Sequence, residues 1–356
     1  MELFFSARIR EFICLATLLT VILSVNCCYI VKQGTYVFKY TTQSKNIAKL
    51  QTSSATPDSL KTFLSLVSSI RAYAKESVGL AQNHNYTTYV AIQKPYLLDV
   101  ICASGKTNFT PYQWHYPLFG SWPIRGFFDE KDAQAEAARI EKQGYDVYKG
   151  KSGGFSTLGF FSDPVYSYMQ HYSLFQIANL IIHEQTHATI YIKNNIQFNE
   201  ELASFVGTEG ALGFIKCKYG DSSAQYREAL MEAHDDDVYY NLIRTLYVSL
   251  LDVYKSNISE QDKIAQKNKL IELFRDSVTH NYESMFQTNL YCGLEKADIN
   301  NAFIAVDMVY AKDMSLYYDL YKKHNNDLYS TFAKILTIKN VKGEPKELLK
   351  KMVAQP

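Results

Sequence analysis

The chain has 356 residues, 47% of them hydrophobic and 21% charged, a composition that fills a globular core and excludes an intrinsically disordered chain. Its 37 Lys and Arg nearly cancel its 36 Asp and Glu, and no long run of one sign occurs, so the electrostatic footprint of a nucleic-acid binder is missing. That leaves a peptide or a small molecule as the expected partner.

In chain order, the first 35 residues read as separate from the globule. Arg8 and Arg10 precede an apolar stretch whose centre, Ile13 to Val25, has the length of a secretory signal core. Export is expected, and three fates of the segment stay open. It is cleaved, or kept as a membrane anchor, or cut so that Cys27 or Cys28 becomes an acylated N-terminus. The export segment is set at residues 1–28 and a single catalytic unit at 29–356, with an α/β part over 29–172 and a helical part over 173–356. Cys102, Cys217 and Cys292 are too far apart to form a cysteine-type zinc site and read as buried thiols.

The first predicted helix lies in "PDSLKTFLSLVSSIRAYAKE", where Leu60, Phe63, Leu64, Val67, Ile70 and Ala74 recur at helical spacing behind Asp58 as a cap. "NYTTYVAIQKPYLLDVICAS" and "YQWHYPLFGSWPIRGFF" are aromatic, β-branched and broken by Pro and Gly, which favours strands. Between Asp129 and Gly144 an acidic start and a terminal glycine predict an exposed helix. "YDVYKG" and "GGFSTLGFF" return to strand character. From Ser173 onward the pattern is helical, clearest in the stripe Tyr239, Leu242, Ile243, Leu246, Tyr247, Leu250, Leu251 and Tyr254, with further helices near 260–288, 298–323 and 326–338. The fold class is α+β, mostly helical, with a small N-terminal sheet.

The motif "HEQTH" spans residues 183–187. Ser173 and Gln176 form a capping-box pattern, so the helix that carries the motif starts at Leu174 and runs to about Lys193. Four residues apart on a helix, His183 and His187 leave the same face about 40° apart and can share one metal ion, zinc by ligand type. Glu184 stands about 60° from His187, placed for a water on that metal and not for a third ligand. The alternative is two histidines and a glutamate sharing a helix by chance. Against it stands the flanking apolar sequence, because buried imidazoles without a metal would lose solvation for nothing.

A catalytic zinc needs a third protein ligand and one open position. Lys193 rules out a histidine six residues after His187. In "FNEELASFVGTEGALGF", Asn199 reads as the N-cap of a second helix and Glu200 as its first residue. Ala203, Gly207 and Ala211 share the side of Glu200, and small residues there permit close approach to the His-bearing helix. Glu201 lies about 100° round and reads as a surface residue or as an acid for a substrate's α-amino group, while Glu209 falls among Leu202, Phe205 and Val206 as a buried acid. Glu200 is the chosen ligand.

"HEQTH" followed by "NEELA" resembles the gluzincin arrangement of thermolysin and the aminopeptidase N family, in which a second helix supplies the third ligand. Only 12 residues separate His187 from Glu200, so the connection is shorter than in those two families. The segments "IRAYAKESVGLAQNHNYTTYV", "WHYPLFGSWPIRGFFDEKDAQAEAARIEKQGYDVYKG", "FSTLGFFSDPV", "IIHEQTHATIYIKNNIQFNEELASFV" and "NNAFIAVDMVY" are similar, in order, to those of a family of bacterial lipoproteins called predicted aminopeptidases. That resemblance implies a zincin-like metallopeptidase fold, one zinc ion, a peptide substrate and membrane attachment through an N-terminal lipid. At the lipid site this chain has "SVNCC" where the family shows Leu-Ser-Gly-Cys.

Residues for the rest of the site follow from chemistry. Gly154, Phe155, Ser156 and Thr157 are candidates for a strand that pairs with an extended peptide, or for an ordinary sheet strand. Tyr310 is the candidate hydroxyl donor to the oxyanion, with core packing as its other reading. Arg125 is a candidate for binding a substrate carboxylate, or pairs with an acid at the surface. Asn300 and Asn301 read as helix caps and crosslinks. The expected function is a membrane-attached zinc metallopeptidase with Glu184 as general base; the alternative is an exported lipoprotein that keeps the fold as a binding or assembly module.

Overall fold

The structure, a computed structural model, describes residues 29–116, 120–153, 162–310 and 314–355. The chain joins the fold at Tyr29, earlier than the sequence pattern implies: residues 29–43 form helix α1. The Tyr29 hydroxyl donates to the Gly126 carbonyl at 2.6 Å, and the buried Gln33 side chain accepts from the Phe128 N–H at 3.1 Å. These long-range bonds, which hydropathy does not report, tie α1 to the sheet.

A short strand β1 (Lys45–Asn46) and helix α2 (Ile47–Thr52) lead into α3 (Asp58–Glu76). Helix α3 buries Leu64, Val67, Ile70 and Ala74 as its period requires, but Pro57 holds the cap position and Asp58 is already helical. The acid still favours the N-terminus through the helix dipole. Strands follow: β2 (Thr88–Val90), β3 (Leu98–Ser104), β4 (Trp114–Tyr116), β5 (Gly120–Trp122) and β6 (Ile124–Phe127), then helix α4 (Glu130–Glu141), β7 (Asp146–Ser152) and β8 (Val165–Tyr166). They form three small sheets ordered β1-β2-β8, β6-β3-β7 and β4-β5. Strand β3 is central and antiparallel to both neighbours, and β2 and β8 run parallel. Asp129 caps α4 by accepting from the Lys131 N–H. The helix is not simply exposed: Ala133, Ala137 and Ile140 pack on Ile101, Phe127 and Val147 of the sheet while the charged positions face water.

The remainder is helical: α5 (Leu174–Thr189), α6 (Ile196–Tyr219), α7 (Ala224–Lys255), α8 (Glu260–Met285), α9 (Asn301–Tyr310), α10 (Ser315–Lys323), α11 (Leu328–Leu336) and α12 (Pro345–Ala354). Tyr239, Ile243, Leu246 and Leu250 of α7 pack against Ile271, Phe274 and Val278 of α8. The helix expected over 298–323 is divided between α9 and α10. The start of α9 is fixed from outside: the Asn300 carbonyl oxygen of the side chain accepts from the N–H groups of Ala302 and Phe303, and its amide donates to Val147 of β7. Buried Asn301 bridges the Gly105 carbonyl and the Tyr254 hydroxyl. Sequence periodicity did not identify α12.

The largest core takes Ile70 of α3, Ile181 of α5, Phe205 of α6, Tyr317 of α10, Phe332 of α11 and Leu349 of α12, so strands and helices close over common apolar contacts. Cys102 is buried as expected, but Cys217 and Cys292 are exposed, the first on the outer face of α6 and the second in a turn after α8. Among the described residues no helix is long and apolar enough to cross a membrane. The expected export segment, with Cys27 and Cys28, lies outside the described residues.

Candidate metal centre

Helix α5 is built for the motif. Ser173 and Gln176 form the complete capping box, with the Gln176 N–H donating to Ser173 Oγ at 3.0 Å and the Ser173 N–H donating to Gln176 Oε1 at 3.1 Å. Ile177, Ala178, Ile181 and Ile182 are fully buried and hold one face in the core. Gln185 and Thr186 are buried on that side as well, which turns His183 and His187 toward the other. The helix ends at Thr189, short of Lys193, with Ile190 extended.

The second helix begins earlier than expected. Helix α6 starts at Ile196, so Asn199 is not its cap. Its amide folds back on the connection instead: Asn199 Oδ1 accepts from the Ile192 N–H and Nδ2 donates to the Ile192 carbonyl, both at 2.8 Å. This pair of bonds satisfies a loop backbone and makes the short connection possible. The helices then pack closely. A Cβ built on Gly207 would stand 3.2 Å from the His183 Cβ, and one on Gly210 would stand 2.9 Å from Ile182 Cγ2. Gly207 was legible from its phase with Glu200; Gly210 was not.

Three side chains converge. His183 Nε2 and His187 Nε2 are 3.1 Å apart, His187 Nε2 is 3.3 Å from Glu200 Oε1, and His183 Nε2 is 3.6 Å from Glu200 Oε2. Two ligands about 2.05 Å from a tetrahedral metal lie about 3.3 Å from each other, so these separations match a ligand triangle. The three residues are a group able to hold a metal ion, each between 16% and 20% exposed, which leaves one side open to a fourth ligand. His187 Nδ1 is buried and has no hydrogen-bond partner among the described residues.

A family model described as "Putative aminopeptidase" matches residues 28–349. The chain belongs to this aminopeptidase family. No curated protein and no solved structure matches it. The match takes in α5, α6 and the first half of α12, and so spans His183, His187 and Glu200.

The other acids of α6 are engaged elsewhere in this family member. Glu201 is not a surface residue: it is 0% exposed and pairs with Lys346 of α12 at 2.8 Å and with Gln197 at 3.0 Å. Helical phase gave its direction, but α12 covers that direction. Glu209 shares hydrogen bonds with the Tyr318 and Tyr321 hydroxyls, and burial raises its carboxyl above the ordinary range.

Two residues that the sequence reading passed over stand near Glu184. Tyr86 is 4% exposed, and burial followed by the Glu184 charge pushes its hydroxyl well up. Asp163 is pushed up to about 6 by burial and then by Glu184. The only local hint was an Asp–Pro turn in "FSDPV". Tyr191, in the loop between the helices, places its exposed ring edge-on to His187 with centroids 6.4 Å apart.

Arg125 pairs with an acid, the second of its two expected roles, but away from the surface. Its guanidinium pairs with Glu136 at 3.0 Å and lies 4.0 Å from the centre of the Tyr29 ring, with both charged side chains 11% exposed. Helix α1, unforeseen in the sequence, supplies that ring. Tyr310 ends α9, but its side chain is outside what the structure describes, as are Gly154, Phe155, Ser156 and Thr157. Gly153, just before them, is in close contact with Tyr172 and accepts from the Tyr168 hydroxyl at 2.6 Å.

Proposed function

We propose that the protein is a zinc-dependent peptidase, with His183, His187 and Glu200 as the ligands of one zinc ion and Glu184 as general base. The observation that carries this reading is the triangle of two imidazole nitrogens and a carboxylate at tetrahedral-ligand separations. Bound zinc supplies Lewis-acid polarisation and a water acidified toward a pKa of about 7. Glu184 belongs to the same helical turn but not to the triangle, so its carboxylate is free to take the proton of the attacking water and deliver it to the leaving amine. With only one carboxylate among the three ligands, a bound zinc ion would keep a net positive charge, which would favour the charge that develops on the substrate oxygen.

The chain's membership of an aminopeptidase family supports peptides as substrates and removal of N-terminal residues as the reaction. Tyr310 is assigned as hydroxyl donor to the oxyanion, and residues 154–157, which follow the edge strand β7, as the segment that pairs with an extended peptide. Export and membrane attachment through residues 1–28, by acylation of Cys27 or Cys28, complete the reading. The test is metal analysis of the purified full-length chain together with digestion of a peptide library. One zinc per chain and stepwise release of N-terminal residues are expected. A chain that binds zinc and hydrolyses no peptide would overturn the enzymatic reading.

A further inference from the structure

A cavity of about 240 Å³ lies behind the metal-binding helix. Its walls include Arg71, Ala72 and Lys75 of α3, Ala81 and Gln82 of the segment before β2, and Gln185 of α5. That segment is tied to α5 by the Ala81 N–H, which donates to Thr189 Oγ1 at 2.9 Å. Gln185 stands two residues from both His183 and His187, so it leaves the helix about 200° round from either. The cavity is therefore on the opposite side of α5 from the ligand triangle and is separate from the metal centre.

Polar groups on its walls lack partners. Arg71 Nη2 donates to the Asn83 carbonyl at 2.7 Å, but Arg71 Nε is buried without a hydrogen bond, and among the described residues no acid pairs with the guanidinium. Two other partly buried arginines differ in this respect, since Arg125 has Glu136 at 3.0 Å and Arg275 has Glu272 at 2.8 Å. Burial lowers the Arg71 guanidinium from its ordinary value, with no carboxylate to offset it. Gln185 is 3% exposed, and among the described residues no hydrogen bond reaches its side-chain amide. Lys75 and Glu76 line the cavity from exposed positions and form no ion pair there, so two cations against one carboxylate leave the wall one net positive charge. A desolvated cation without an acid and a buried amide without a partner are both unfavourable, and one anion relieves both.

We infer that this cavity is a binding site for a small organic carboxylate, held by the Arg71 guanidinium and the Gln185 amide on the reverse side of the metal-binding helix. The planar guanidinium fork matches a carboxylate, and the Gln185 amide adds a donor from the facing helix. Ala72, Ala81 and the aliphatic stem of Lys75 offer contact to a short carbon chain. A monoanion balances the single net charge of the wall, whereas a phosphate carries more charge and no apolar part. The volume is below the range of drug-sized pockets and suits a ligand of a few carbons. The site stands whether or not the metal centre hydrolyses peptides.

The test follows butyrate by proton NMR as it is titrated into the full-length protein and into its Arg71→Gln and Ala72→Phe variants, with melting measured alongside. So small an acid should saturate one site with a Kd of about 1 mM. Arg71→Gln should weaken binding by about 10–100-fold, the size of a charged hydrogen bond. Ala72→Phe fills the cavity from an exposed position of α3, leaves the Arg71 bond to Asn83 in place, and should abolish binding with melting unchanged. Absence of saturable butyrate binding overturns the inference. So does binding that persists in either variant, since the carboxylate would then sit elsewhere, as on the metal. Butylamine that binds as well as butyrate would show an apolar cavity indifferent to charge, and also overturns it. Inorganic phosphate that displaces butyrate from the Arg71-dependent site at a lower concentration than butyrate itself requires would overturn the carboxylate assignment and make phosphate the ligand.

Discussion

Replacing Lys346 with Met removes the only cation paired with a carboxylate at 0% exposure among the described residues. Glu201 cannot turn to water, whereas Lys346 keeps 35% of its side chain exposed. The two partners are therefore unequal. Stranding the charge of a fully buried pair costs about 3–5 kcal/mol, and an exposed pair contributes about 0–1 kcal/mol, so a pair buried on one side should lose about 2–3 kcal/mol in Lys346→Met. At about 2 °C per kcal/mol for a chain this long, melting falls by about 5 °C. Glu201→Gln removes the buried charge and leaves a lysine that can solvate itself, so it should lose less, and the double variant should resemble Glu201→Gln. Because Glu200 is the next residue, zinc affinity in Lys346→Met should also fall by about 10-fold, the usual effect of disturbing a ligand's support. Thermal melting of the metal-free protein and zinc titration against a competing chelator measure the two effects separately. The reasoning is refuted if Glu201→Gln is the more damaging change, or if Lys346→Met alters neither quantity.

Glu184→Gln should keep full zinc occupancy while turnover falls about 10²–10⁴-fold, whereas His187→Ala and Glu200→Ala should lose the metal; elemental analysis of each variant checks the division of roles. Gly207→Val places methyl groups against His183 and should destabilise the fold by about 1–3 kcal/mol, seen in urea unfolding, and weaken zinc binding more than the same change at exposed Gly34. Asp307 is pushed up to about 6 by burial, above its unfolded value, so the stability it contributes is complete below pH 4 and is lost as pH rises through 6. Asp307→Asn should accordingly stabilise the protein at pH 8 by on the order of 2 kcal/mol and little at pH 4, in unfolding curves at the two pH values. In cells the full-length chain should fractionate with membranes, and replacing both Cys27 and Cys28 with Ser should release it if acylation is the attachment.

The sequence alone determined what lies within a few residues. The Ser173–Gln176 capping box, the buried stripe of α5 and the four-residue spacing of His183 and His187 are local quantities, set by helical geometry whatever the rest of the chain does. Glu200 and the small residue Gly207 were legible for the same reason, since both follow the phase of a single helix. Tertiary structure decided where each helix stopped and what each remaining side chain met. Asn199 reads as a cap from its type, but the short loop needed its amide more than the helix end did, so α6 starts at Ile196. Glu201 reads as a surface acid until α12 is laid over it, and the acid pair expected of Arg125 reads as a surface one until Tyr29 covers it. Asp163 is fixed only by the packed chain, which holds its N–H on the Asn85 side chain across 78 residues. Periodicity and capping carry information over one or two turns; electrostatic environment and burial are properties of the packed chain, and for these residues only the packed chain decided them.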